Sequence, residues 1–330
     1  MPMIRKTVVT RQAGVYSAFP TFTRWEDEVF VFYRQARASR AQAHGRRGTV
    51  KCWSVGADEL TRLLRDPQVQ DLYAYGRDTV VFAGENEIDS IVSRLGENLY
   101  VLCTRIYIPD VPARSFVSVA ERPVFGRRRE VAVTGVDWLV FYGKALAWDR
   151  GYVFTAYGGL AGEGGSRPLV LYTEDLASFR LLSHISPPQP DVILNENSLV
   201  FDGKEYVMFI RQDTPPFGIW SARSADLVRW SEPVKLFAGA QAPMAFVRDG
   251  EAGLTFRDLS LAEGTALSLL SPLTGREKTV LDFYPGSPYD GGYSDPGNLA
   301  GGLAVFYYCG NEAGEPEIKV ALPGEGDGCP

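Results

Sequence analysis

Four arginines occupy matching places in the sequence. Arg34, Arg105, Arg211 and Arg257 each end a short apolar run that follows a tight turn. The runs that precede such turns open near Ser17, Asp89, Glu196, and Tyr293 with Asp295. In an antiparallel hairpin, the start of the first strand lies beside the end of the second. A guanidinium brought there suits a bidentate grip on a carboxylate. A Tyr beside a Glu is a hydroxyl nucleophile beside its base. Gathered arginines repel one another unless carboxylates or a bound anion compensate. Two readings follow: each Arg pairs with an Asp or Glu of a neighbouring unit, or together they hold an anionic ligand.

The elements that must position these groups recur along the chain. The unit is a strand, a turn and a second strand, as in Ala18–Phe22, Glu26-Asp27 and Val29–Arg34. Further copies run Ile88–Arg105, Ala145–Tyr157, Asn195–Arg211, Met244–Arg257 and Tyr293–Cys309. The spacing is roughly 50 residues, wider between the first two copies, which is the length of one four-stranded propeller blade. Thr49–Ser54 and Gly218–Ser221 are candidate outer strands. The expectation is an all-β chain, a single six-bladed β-propeller of four-stranded antiparallel blades over 1–330. Weak third and fifth copies leave five or seven blades open. In a propeller the first-strand starts and second-strand ends of all blades converge at the axis on one face.

Composition narrows the function class. The net charge is −6, with 34 Lys and Arg against 40 Asp and Glu, so no basic field attracts nucleic acid. No apolar window is long enough to span a membrane. Met1–Thr7 leads only to Val8-Val9 before Thr10-Arg11-Gln12, too short for a signal peptide, and a cytoplasmic location is expected. Cys52, Cys103, Cys309 and Cys329 form no metal-binding spacing, so no metal and no cofactor are expected.

These residues resemble the sialidase (neuraminidase) superfamily. Asn195-Glu196 with the hairpin to Arg211 looks like the segment in which a Glu begins one strand and a carboxylate-binding Arg ends the next. Gly292–Asp295 is similar to the family's Tyr-Ser motif, with Tyr as nucleophile. Arg257 stands one blade before Tyr293, as the last Arg of the family's triad does. Tyr16–Pro20 looks like its Tyr-Arg-Ile-Pro segment. Ser224–Trp230, with a worn copy at Thr173–Phe179, resembles a shortened Asp-box, a structural turn between outer strands.

The resemblance implies a glycosidase acting on a carboxylate-bearing sugar. A substrate carboxylate on the anomeric carbon repels a carboxylate nucleophile, which a neutral Tyr avoids. Tyr293 would be the nucleophile, Glu196 its base and His44 the acid/base. Arg211, Arg257 and one of Arg34 or Arg105 would hold the carboxylate, oriented by Asp89 or Asp295. The chain departs from the family at two points. Ser17 stands where the first Arg is expected, and His44 or Gln42 where the acid Asp is expected. A loop His near arginines is also similar to propeller enzymes that cleave uronate-containing polysaccharides by hydrolysis or elimination. A carbohydrate-binding propeller without catalysis is the remaining alternative. His184, beside Ser183 and Ser186, reads as structural.

Overall fold

The computed structural model describes residues 3–10, 14–37, 46–261, 264–271, 278–285, 291–299, 301–310 and 316–323. They form six antiparallel sheets arranged as the blades of a propeller. Strand β1 (Ile4–Val9) belongs to the last blade. Blade one holds β2 (Val15–Trp25), β3 (Glu28–Arg37), β4 (Arg46–Gly56) and β5 (Arg77–Phe82). Blade two holds β6 (Glu87–Gly96), β7 (Leu99–Ile106), β8 (Arg114–Ala120) and β9 (Arg129–Glu130). Blade three holds β10 (Val136–Phe141), β11 (Leu146–Trp148), β12 (Gly151–Leu160), β13 (Arg167–Thr173) and β14 (Arg180–His184). Blade four holds β15 (Leu194–Phe201), β16 (Tyr206–Gln212), β17 (Gly218–Ser224) and β18 (Val234–Ala238). Blade five holds β19 (Ala240–Arg248), β20 (Glu251–Asp258), β21 (Thr265–Leu270) and β22 (Lys278–Tyr284). Blade six holds β23 (Gly291–Leu299), β24 (Gly302–Cys309), β25 (Glu317–Leu322) and β1, which pairs with β25.

The six blades expected are present, and not the five or seven that the weak copies left open. The third copy is weak because its first strand is split. Both β10 and β11 pair with β12, and Tyr142–Ala145 interrupt them. Gly143 sits at φ +80, where a Cβ would stand 3.0 Å from Asn197 O. The sequence reading found only the second half, Ala145–Ala147, and missed β10. The long first interval also has a cause: helix α1 (Ala57–Arg65) is inserted between β4 and β5. Its Leu60, Leu63 and Leu64 are buried in one cluster with Val8, Val9 and Ile318 of blade six. Lys6 of β1 donates to Leu63 O and Val69 O, both at 2.6 Å, and to Asp66 O.

Thr49–Ser54 and Gly218–Ser221 fall in third strands, β4 and β17. The turn after β17 is anchored as its residue types require. Asp226 Oδ1 accepts from Val228 N and Arg229 N at 2.9 and 2.8 Å, and Trp230 Nε1 donates to Ser183 Oγ at 3.0 Å. The turn after β13 repeats this, with Asp175 Oδ1 accepting from Ala177 N and Ser178 N at 2.8 and 2.7 Å. His184 ends β14 on the outer edge of blade three. Among the described residues, no helix is long and apolar enough to cross a membrane.

Candidate active site

All six blades contribute to a cavity of about 600 Å³ on the face where the first strands begin. A repeated backbone irregularity shapes it. In five blades the first-strand pairing skips two residues just after its start: Phe19-Pro20, Ile88-Asp89, Asn195-Glu196, Ala242-Pro243 and Gly292-Tyr293. A bulge turns side chains out of the regular alternation. The second skipped residues are Pro20, Asp89, Glu196, Pro243 and Tyr293. The ionisable ones thus sit on blades two, four and six, with prolines on one and five.

The bulge also divides the four arginines. Arg105 and Arg211 lie opposite a bulge, between the pairs Glu87–Ile106 and Ser90–Thr104, and Leu194–Gln212 and Asn197–Ile210. Arg34 and Arg257 sit one residue further on, paired with Ala18 and Gln241. A one-residue difference in register sends a side chain to the other face. Arg34 and Arg257 accordingly share a different task. Each donates Nε to the first residue of an adjoining blade's first strand, Glu87 O and Gly291 O, both at 2.6 Å. Arg34 is fully buried there and does not line the cavity. Arg257 does line it, with its guanidinium 4.8 Å from the Tyr293 ring centre. Gly292 makes that approach possible: at φ +90, a Cβ on it would stand 2.7 Å from Arg257 Cβ.

Tyr293, Glu196 and Arg211 form a closed triangle. The Tyr293 hydroxyl donates to Glu196 Oε1 at 2.7 Å, and Arg211 Nη1 reaches Tyr293 Oη at 3.3 Å and Glu196 Oε1 at 2.9 Å. Burial and the Glu196 charge push the Tyr293 hydroxyl well above the usual tyrosine range, against the pull of Arg211 and Arg257. The hydroxyl therefore keeps its proton, which it shares with Glu196 in that hydrogen bond. Arg211 is itself raised: burial opposes its charge, but Glu196, Tyr293 and Asp213 outweigh burial. Phe19 and Tyr308 flank the Tyr293 ring at 5.0 and 6.1 Å between centroids.

Asp89 pairs with Arg105 at 2.6 Å, a carboxylate–guanidinium pair apart from those that Arg211 makes. Asp295 also lines the cavity. It accepts from Thr21 Oγ1 at 2.8 Å, Phe22 N at 2.7 Å and Lys144 Nζ, so its partners are these groups rather than an arginine. Ser17 stays out of the cavity and accepts from Gln35 Nε2 at 3.4 Å. His44 and Gln42 lie outside the described residues. Among the described residues, no cluster of three His, Cys, Asp or Glu side chains is placed to hold a metal ion.

Sequence reading missed Trp138, Tyr157 and Asp213, all of which line the cavity. Tyr157 ends the second strand of the third copy, the place that Arg holds elsewhere, and that position was a usable signal. Asp213 follows Arg211 by two residues and pairs with it. Trp138 lies on β10, the strand that was not read.

No family model matches the sequence, and no curated protein matches it. Solved structures do match. A Dyadobacter fermentans protein of unknown function superposes with a TM-score of 0.76 at 12% identity, over 97% of each chain. Trypanosoma rangeli sialidase in complex with sialic acid gives 0.63 at 10% identity, over 98% of this chain and 59% of that one. Penicillium chrysogenum α-L-arabinanase complexed with arabinobiose gives 0.64 at 9% identity, over 97% of each. The chain shares the propeller fold of these structures.

Proposed function

We propose that this protein is a sialidase-like exo-glycosidase acting on a sugar that carries a carboxylate at its anomeric carbon. The observation that carries this reading is the hydrogen bond of 2.7 Å from Tyr293 to Glu196, braced by Arg211. Tyr293 Oη bonds to the anomeric carbon while its proton passes to Glu196, and the bond to the leaving oxygen breaks. The leaving oxygen takes a proton from an acid, the role assigned to His44. Water then reverses the sequence and releases the sugar. Arg211 and Arg257 hold the substrate carboxylate, and the arginine beside the Tyr293 ring favours the phenolate character that develops in attack. The two Asp-anchored outer turns, similar to Asp-boxes, support the same family reading.

Turnover of aryl sialosides and other 2-keto-3-deoxy sugar acid glycosides tests the proposal. Tyr293→Phe should abolish hydrolysis, and Glu196→Gln should slow it about 10²–10⁴-fold, the usual weight of a general base. Unchanged activity in Tyr293→Phe removes Tyr293 from the mechanism. Binding of the acidic sugar with no turnover by the wild type supports a non-catalytic propeller instead.

A further inference from the structure

The wall that blades two and three contribute to the cavity takes no part in the chemistry above. Asp89 stands on the β6 bulge and Arg105 opposite it, paired at 2.6 Å with 23% and 16% of their side-chain surfaces exposed. Arg105 Nη1 donates to Tyr157 Oη at 3.4 Å, and Arg105 Nε is buried with no hydrogen-bond partner. Burial, only partly offset by Arg105, raises the Tyr157 pKa, so its hydroxyl keeps its proton. Trp138 is partly exposed beside it, edge to face with Tyr157 at 6.1 Å and 85°. Trp138 pairs in register with Gly159, where a Cβ would stand 2.6 Å from indole Nε1. The indole edge therefore rests on bare backbone, and a side chain at 159 would displace it.

We propose that this wall is a subsite for a neutral sugar ring, the one attached to the acidic residue through the scissile bond. The proposal deepens the glycosidase reading and rests on it for the order of the two rings. Three features carry it. The charges of Asp89 and Arg105 cancel, so an anion placed there meets Asp89 and a cation meets Arg105. A polyol both donates and accepts, and so satisfies the carboxylate and the guanidinium together. The indole adds apolar surface with a negative face, which suits the C–H side of a pyranose.

Binding of lactose, cellobiose and maltose, measured by calorimetry and by tryptophan fluorescence, tests this without any turnover. At least one disaccharide should bind the wild type at millimolar concentration and change the fluorescence. Trp138→Phe should remove the fluorescence change. Asp89→Asn, nearly isosteric, should weaken binding about tenfold, as the loss of one charge-assisted hydrogen bond does. Tyr293→Phe should leave disaccharide binding intact while stopping hydrolysis. Failure of all three sugars to bind, or equal binding by wild type, Trp138→Phe and Asp89→Asn, overturns the subsite. Disaccharide binding without hydrolysis of any acidic glycoside upholds the subsite and overturns the glycosidase reading.

Discussion

Replacing Gly292 by Ala separates two costs that the structure places at one residue. Gly292 has φ +90, and a Cβ there would meet Arg257 Cβ at 2.7 Å, Cγ at 2.9 Å and Cα at 3.1 Å. Gly203, in the turn between β15 and β16, has φ +91 and no atom within 4 Å of its would-be Cβ. The two positions thus share backbone strain and differ in contact. Left-handed backbone costs an L-residue about 1–2 kcal/mol. Forcing a methyl against a packed neighbour costs about 1–3 kcal/mol more. For a domain of this size about 2 °C of Tm is lost per kcal/mol. Thermal melts should then show Gly203→Ala down by about 2–4 °C and Gly292→Ala by about 4–10 °C. Turnover should fall in Gly292→Ala alone, because Arg257 and Tyr293 are pushed apart. Equal Tm losses in the two variants would refute the claim that Gly292 exists to admit Arg257.

Two further outcomes follow from buried charges. Lys6→Met strips hydrogen bonds from Leu63 O, Asp66 O and Val69 O, and should cost about 3 kcal/mol. The segment 57–76 should become cleavable by protease below the melting temperature, and full protection would contradict the role of Lys6. Asp258 is held below the usual carboxylate range: burial pushes it up, but Lys278, Ser260 and Ser268 outweigh burial. A depressed folded-state pKa gives stability that is present above the unfolded value of about 3.9 and is lost as pH falls through the folded one. The urea midpoints of wild type and Asp258→Asn should differ clearly at neutral pH and converge in acid. A gap independent of pH would remove Asp258 from the linkage.

The propeller was legible because its hairpins are local. Turn residues such as Asp202-Gly203 and Asp249-Gly250 sit between apolar runs, and local pairing follows from them. Blade three was half legible, since the break at Tyr142–Ala145 depends on a neighbouring blade that sequence spacing does not show. Glu196, Tyr293, Arg211 and Arg257 could be placed together because equivalent blade positions converge. Arg34 looked equivalent to Arg211 but sits one register position away. Bulges shift pairing without changing residue types, so hairpin patterns alone cannot separate the two. Trp138 escaped for the same reason as β10, and the partners of Asp295 because Lys144 and Thr21 come from other blades.

Closure of the ring by β1 on β25 sets an order on biosynthesis. Ile4 pairs with Leu322, so β1 waits for β25 to be made. A chain emerging N-terminus first can form blade-one hairpins early, since their contacts are local. Tyr293 lies on the blade that is finished last. A nascent or truncated polypeptide therefore carries Glu196 and Arg211 well before it carries their hydroxyl partner. The blade that carries Tyr293 is complete only when β1 meets β25.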